Sequence, residues 1–301
     1  MILRTLFASA AAAAVLTGAA AAQEITEFRI GILGGENASD RLRSNECLRA
    51  KTEELLGVPT RVFAPADYNG VIEGLLGGNL DMAWLGPSAY AKVYLTDPEA
   101  VEPVLVKVNT DGSFGYYAVG FARVDSGITS LEDAKGRSFA FGDPNSTSGY
   151  LIPNFEMIQA GIDTAPGAHF SSVTFSGGHE QSIIGVQNGD FDVSVTWADG
   201  LGDWEDGYNS GALRKAADSG LVDMTQLVEV WKSPLITEGP IVLRKALPER
   251  VKIDMTAMMA ALGFMDPECA YTFMAGEVKG LAPINHEAYL NIIEVRRAAG
   301  D

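Results

Sequence analysis

Residues 142–149, Gly-Asp-Pro-Asn-Ser-Thr-Ser-Gly, constrain the fold of this chain more than any other stretch. The apolar run at 138–141 predicts a strand that runs straight into them, and the spacing of apolar residues over 150–160 predicts a helix that leaves them. Asp-Pro-Asn is a turn signal, and Ser-Thr-Ser ahead of an apolar run is an N-cap signal. A segment of this kind presents backbone N–H groups at the positive end of a helix dipole. Here the hydroxyls of Ser146, Thr147 and Ser148 stand beside them. That set suits a tetrahedral oxyanion and requires no lysine or arginine. The glycines permit close approach of the backbone to a ligand. The same pattern also describes a capped turn with no ligand at all.

The rest of the chain repeats the strand-to-helix plan. Strands are predicted at 28–33, 60–63 and 80–85, with helices up to Leu56, over 71–76 and from Gly86-Pro87-Ser88. Two extended runs, 104–108 and 116–122, are joined by the turn-rich Asn109-Thr110-Asp111-Gly112-Ser113. After Asp125 the pattern restarts, with a short helix at 130–135, the strand and turn above, a strand at 173–175, a helix at 181–188 and a strand at 191–196. Leu76-Gly77-Gly78-Asn79-Leu80-Asp81-Met82 is echoed by Val186-Gln187-Asn188-Gly189-Asp190-Phe191-Asp192-Val193. Each ends a helix on Gly/Asn and enters a strand through an apolar-Asp-apolar triplet. The echo fits two α/β lobes of similar plan, and the order fits one lobe inserted into the other. The proline-punctuated stretch 228–243 reads as the return crossing, and helices follow at 248–262 and 286–297. The expected division is 23–122 and 241–301 in one lobe and 123–240 in the other, with a ligand cleft between them.

The start reads differently. Arg4, an alanine-rich apolar run to Leu16 and Ala20-Ala21-Ala22-Gln23 predict a signal peptide over residues 1–22, with cleavage expected after Ala22 and export to the periplasm. No later stretch approaches eighteen apolar residues. The formal charge of −17 argues against nucleic acid or anionic lipid as a partner, so any anion site must act through local dipoles and short hydrogen bonds. Cys47 and Cys269 can pair in an oxidising compartment or stand as two separate thiols, and spacing does not choose between these.

Several residues fall where strands deliver side chains to a cleft. His179 follows Gly177-Gly178 and can donate to a phosphoryl oxygen or carry positive charge beside it. Asp199 follows a strand end and can pair with a ligand ammonium, as can, more weakly, Glu180 and Glu238. Tyr68 and Tyr116 can each offer a phenol to an anion. His169 and His286 receive no role.

Together these stretches resemble the periplasmic phosphonate-binding proteins of ABC importers. The similarity rests on residues 142–149, Ala66-Asp67-Tyr68, 80–84, Gly115-Tyr116, Gly178-His179-Glu180, 231–236 and Pro240-Ile241-Val242. It implies a two-lobed type II periplasmic binding fold, each lobe a mainly parallel sheet flanked by helices. It implies phosphonate oxygens held by Ser146, Thr147, Ser148, His179, Tyr68 and Tyr116, no cofactor, no metal, and a monomer that partners a membrane ABC permease. Relatives that take 2-aminoethylphosphonate add two acids around the ammonium. Asp199 falls at one of these places, shorter than the expected glutamate, while the other place is Gly239, with Glu238 adjacent. The expected ligand is a phosphonate, 2-aminoethylphosphonate first, with alkylphosphonate, phosphite or phosphate as alternatives. A hydrolase using Ser146, His179 and Asp199 is the competing class, and no Gly-x-Ser-x-Gly elbow or Cys-x-x-Cys supports it.

Overall fold

The structure, a computed structural model, describes residues 25–34 and 38–300; the expected signal peptide and its cleavage after Ala22 lie outside them. Short, apolar strands alternating with amphipathic helices build the first layer. It comprises β1 (Phe28–Gly31), α1 (Ala38–Ser44), α2 (Glu46–Leu56), β2 (Thr60–Phe63), α3 (Tyr68–Leu76), β3 (Met82–Trp84), α4 (Pro87–Thr96) and β4 (Val101–Val108). The chain then crosses into a second sheet through β5 (Gly115–Arg123), β6 (Ser138–Phe141), α5 (Ile152–Gln159), β7 (Ser172–Phe175), α6 (His179–Asn188), β8 (Val193–Ala198), α7 (Ala212–Asp218), β9 (Leu227–Lys232) and β10 (Ile236–Thr237). Glu238 and Gly239 carry it back to β11 (Pro240–Arg244), followed by α8 (Glu249–Met265), α9 (Pro267–Met274), β12 (Gly280–Pro283) and α10 (Leu290–Ala298).

The first sheet runs β12-β4-β11-β3-β1-β2 and the second β10-β5-β8-β6-β7, with β9 also on β5. Each therefore has the same plan. The strand that has just crossed over, β11 or β5, is inserted antiparallel beside the third strand of the lobe. β1, β2, β3 and β4 share one direction against β11 and β12, and β6 through β10 share one direction against β5. The expected parallel majority is present in strand direction, but the inserted strands make both sheets mixed.

One boundary differs from expectation. Residues 116–122 belong to the second sheet, because β5 pairs with β8, β9 and β10 and not with β4. The turn-rich loop before it closes on itself. Asn109 donates through its side-chain amide to Ser113 Oγ and to the Gly115 carbonyl, and Gly112 N bonds Asn109 O. A loop closed by its own hydrogen bonds can serve as a crossing without pairing the strands on either side. The short helix expected at 130–135 is a series of turns. Asp133 Oδ2 draws in Thr129 and Ser130, whose side chains compete with helical hydrogen bonding.

The echoed segments have one job in both lobes. Asp81 accepts the backbone N–H of Arg29 on β1, and Asp192 accepts that of Ser138 on β6, at 2.9 Å each. In each lobe an acid just ahead of the third strand locks the first strand beside it. Asp81 also takes the guanidinium groups of Arg29 and Arg244, which neutralises a nearly inaccessible carboxylate.

Helices cover both faces of each sheet. In the first lobe one apolar layer gathers α3, α4 and α10, and the other gathers α2, α8 and α9. In the second, α6 and α7 pack on one face and α5 on the other. A disulfide between Cys47 and Cys269 joins α2 to α9 within the apolar layer that these helices share with α8. Among the described residues no helix is long and apolar enough to cross a membrane.

The disulfide closes a loop of 222 residues. Replacing both cysteines with serine is expected to lower the unfolding free energy by about 2–5 kcal/mol, measured from the shift in denaturant midpoint. An unshifted midpoint would mean the cross-link contributes nothing.

Candidate functional site

The sequence 142–149 folds as a turn entering a tight helical coil. Ser146 N bonds Asp143 O, and Asn145 N bonds Asp143 Oδ1 at 2.7 Å. Residues Thr147–Leu151 form a π-helical turn that continues into α5, capped by Ser146, whose Oγ accepts Gly149 N at 2.9 Å. The flanking glycines serve packing here and do not line the cleft. Gly142 N bonds Gly149 O at 2.7 Å, and a Cβ on Gly149 would stand 2.7 Å from Ser146 Oγ. The amides of Thr147 and Ser148 come first in the coil, where no preceding carbonyl of the coil can reach them.

Four helical N-termini face one cleft of about 150 Å³ between the lobes. Tyr68 opens α3, Gly86 precedes α4, Thr147 opens the π-turn and His179 opens α6, and all four line the cleft. Two N-termini come from each lobe. The lobes also touch directly there. Ser88 N, in the first turn of α4, donates to Thr147 Oγ1 at 2.8 Å, and the Asp143 carboxylate accepts the backbone amide of Tyr68. Burial pushes the Asp143 carboxyl up from its ordinary range, against the pull of the Asn145 and Tyr68 amides.

Seven of the eight residues singled out from the sequence line this cleft: Tyr68, Tyr116, Ser146, Thr147, Ser148, His179 and Glu238. The Tyr116 phenol hydrogen-bonds the side chains of Thr147 and Ser148, and burial raises its pKa, keeping it protonated. His179 sits with Nδ1 3.1 Å from Thr196 Oγ1 and Nε2 3.4 Å from Ser146 Oγ. Its imidazole keeps part of its surface open to the cleft, yet desolvation by the surrounding protein lowers its pKa to about 4. With no anion beside it the imidazole is therefore neutral at pH 7.

Asp199 is the exception. It is buried at the end of β8, with its N–H on Ser210 O and Oδ1 accepting Leu201 N, while Oδ2 has no hydrogen-bond partner. It does not line the cleft. A Ser146–His179–Asp199 nucleophile set is not assembled. The position on His179 where an orienting carboxylate would sit is taken by the Thr196 hydroxyl. Among the described residues no group of three or more His, Cys, Asp or Glu side chains is placed to hold a metal.

The sequence reading missed several members of the site. Trp84 and Trp197 line the cleft from opposite lobes, edge to face at 6.0 Å. Arg41 and Lys215 also line it, although the oxyanion reading asked for no cation. The Arg41 guanidinium donates to the Leu33 and Pro65 carbonyls. Behind the anion turn, buried Arg296 from α10 donates to Ser88 Oγ at 2.6 Å and to Asn145 Oδ1 at 2.8 Å. It thereby braces both Ser88 and the turn preceding Ser146. Nothing local marks these residues: Arg296-Arg297 reads as the ordinary basic end of a helix.

The comparisons with known proteins agree with this architecture. The family model described as the periplasmic phosphonate substrate-binding protein of ABC transporters matches residues 30–289. A phosphate-import protein PhnD of Mycolicibacterium smegmatis is 30% identical over 77% of this chain and 70% of its own length. The phosphonates-binding periplasmic protein of Escherichia coli is 29% identical over 95% of this chain and 79% of its own. Among solved structures, a binding component of an ABC phosphonate transporter from Pseudomonas aeruginosa is similar with a TM-score of 0.77 at 24% identity, covering 91% of this chain and 89% of that one. PhnD1 of Prochlorococcus marinus, in complex with methylphosphonate, gives 0.74 at 20% identity, covering 91% and 98%. With a match spanning most of its length and a two-lobed fold of the same kind, the chain belongs to the family of periplasmic phosphonate-binding proteins of ABC transporters.

Proposed function

We propose that this protein captures a phosphonate by its phosphonyl end, seated between the four helical N-termini and held by Ser146, Thr147, Ser148, His179, Tyr68 and Tyr116, and delivers it as a monomer to a membrane ABC permease. Export by cleavage after Ala22 belongs to the same reading.

One observation carries it. Ser146 Oγ already accepts Gly149 N, and Thr147 Oγ1 already accepts Ser88 N. A hydroxyl whose oxygen is occupied by an amide has its hydrogen left to give. Ser146 is thus set as a donor toward the cleft, and the Thr147 and Ser148 hydroxyls, which donate to the Tyr116 phenol oxygen, leave that phenol its own hydrogen to give; both suit an oxyanion acceptor. If the Thr196 hydroxyl donates to Nδ1 of His179, Nε2 carries the imidazole hydrogen on the side of Ser146. Charge-assisted hydrogen bonds of this kind contribute about 1.5–3 kcal/mol each.

The second half of the expected ligand, an ammonium, has weaker support. Asp199 stands off the lining, and Glu238 faces a protein cation, Lys107. The names of the relatives include phosphate and phosphonate, which share a tetrahedral oxyanion. The informative panel for calorimetry is therefore methylphosphonate, 2-aminoethylphosphonate, phosphite and phosphate.

Ser146→Ala and Thr147→Val are each expected to weaken every ligand that binds by about 10- to 100-fold; affinities within twofold of the parent would remove these hydroxyls from the site. The histidine gives a pH signature. Folded His179 titrates near 4 and an unfolded imidazole near 6.5. Between those values the unfolded chain holds the extra proton, so the stability present above pH 6.5 is lost as pH falls toward 4. Thermal melts of the ligand-free protein should show that slope, and His179→Asn should flatten it. A slope identical in the two proteins would assign it to another group.

A further inference from the structure

Near the end of β4 the apolar run Val104-Leu105-Val106 is followed by Lys107, whose side chain is fully enclosed. Its Nζ lies 3.0 Å from Glu238 Oε2, 3.1 Å from Ser210 Oγ and 4.8 Å from the centroid of the Trp197 ring. A carboxylate, a hydroxyl and an aromatic face are the partners that a bound alkylammonium takes. Glu238 and Trp197 both line the cleft. Building on the reading of this cleft as a phosphonyl site, we propose that Lys107 is the protein's own occupant of the ammonium position, so that the receptor selects phosphonates with a small uncharged substituent over aminoalkyl phosphonates.

Three further observations bear on this. Glu238 Oε1 accepts Gly239 N at 3.0 Å, while Oε2, which takes no aligned hydrogen bond, has the Lys107 ammonium 3.0 Å away as its ion-pair partner. The neighbouring position cannot supply a second acid. A Cβ on Gly239 would stand 2.0 Å from the Leu85 carbonyl oxygen, and the Gly239 carbonyl is held by Trp84 Nε1 at 3.1 Å. Asp199, the remaining acid, is buried off the cleft, and the Ser210 carbonyl holds its N–H. A ligand ammonium would have to share Glu238 with a lysine already bound to it, placing like charges together where little water can screen them. An alkyl substituent would instead meet the indoles of Trp84 and Trp197.

The test compares a matched pair. Propylphosphonate has a methyl group where 2-aminoethylphosphonate has its ammonium, so size is held and only charge changes. By titration calorimetry at pH 7.5 the wild-type protein is expected to bind propylphosphonate at least about tenfold more tightly. Lys107→Met frees Glu238 and should shift the ratio by about tenfold or more toward the aminoalkyl ligand. Lys107→Gln keeps a hydrogen-bonding side chain without the charge, and should shift the ratio in the same direction even where the methionine variant does not fold. Equal or tighter wild-type binding of 2-aminoethylphosphonate would overturn the proposal, and loss of that preference in Asp199→Asn would locate the ammonium on Asp199. A Lys107 variant that weakens both ligands equally would make the lysine structural, which also overturns it. Those outcomes leave phosphonyl capture intact. Wild-type protein that binds neither ligand and no methylphosphonate either would instead overturn the phosphonyl reading and this proposal with it.

Discussion

A protein with a formal charge of −17 has to hold an anion against its own field. The convergence of helical N-termini resolves the conflict locally. Each terminus carries about half a positive charge on N–H groups that have no carbonyl to bond, and the effect dies away within a turn. Four of them meet at one cleft of about 150 Å³. The attraction is therefore concentrated at the cleft and absent from the outer surface. Three of the cationic side chains nearby are committed to protein partners: Lys107 to Glu238, Arg296 to Ser88 and Asn145, and Arg41 to backbone carbonyls. Arg296 braces Ser88 and the turn before Ser146, and the helical N-termini and hydroxyls face the cleft.

The doubled plan of the lobes explains why the N-termini converge. In an open α/β sheet, helices that follow parallel strands begin at the carboxyl ends of those strands. The two lobes share a strand order, and the crossings set them so that these ends face each other across the cleft. The paired acids Asp81 and Asp192 show how deep the repeat goes, since each bonds the backbone of the first strand in its own lobe. The inserted antiparallel strands, β11 and β5, follow directly from the two crossings.

Much of this was legible in the sequence because it rests on local chemistry. The Asp-Pro-Asn turn, the Ser146 cap, the position of His179 after two glycines and the echo around Asp81 and Asp192 are all short-range signals, and each sits where its signal placed it. What could not be read is non-local. Cys47 and Cys269 are 222 residues apart, and their pairing depends on α2 and α9 packing together. The strand at Tyr116 read as part of the first lobe because sequence shows extension and not partner. Lys107 carried a faint signal, one charge inside the apolar run Val104-Leu105-Val106-Lys107-Val108, but its partners come from the second lobe and the return crossing. Asp199 was misleading for the opposite reason. A strand end delivers a residue to the edge of the sheet, and whether its side chain enters the cleft depends on the next turn, which here folds back onto Ser210.

The division of donors between lobes also bears on how binding could become a transport signal. Tyr68 and the start of α4 stand on the first lobe, and Ser146, Thr147, Ser148 and His179 on the second. An anion held by only one side gains half of the possible contacts. A two-state opening equilibrium moves from mostly open to mostly closed, 1:99 to 99:1, when the ligand favours the closed form by about 5.5 kcal/mol. Two to four charge-assisted hydrogen bonds added by the second lobe, at about 1.5–3 kcal/mol each, reach that value. Direct contacts such as Ser88 N to Thr147 Oγ1 run through the same atoms that would grip the ligand. Closure and capture would then be one event, because Thr147, whose hydroxyl orients the Tyr116 phenol, is itself held by an amide from the opposite lobe.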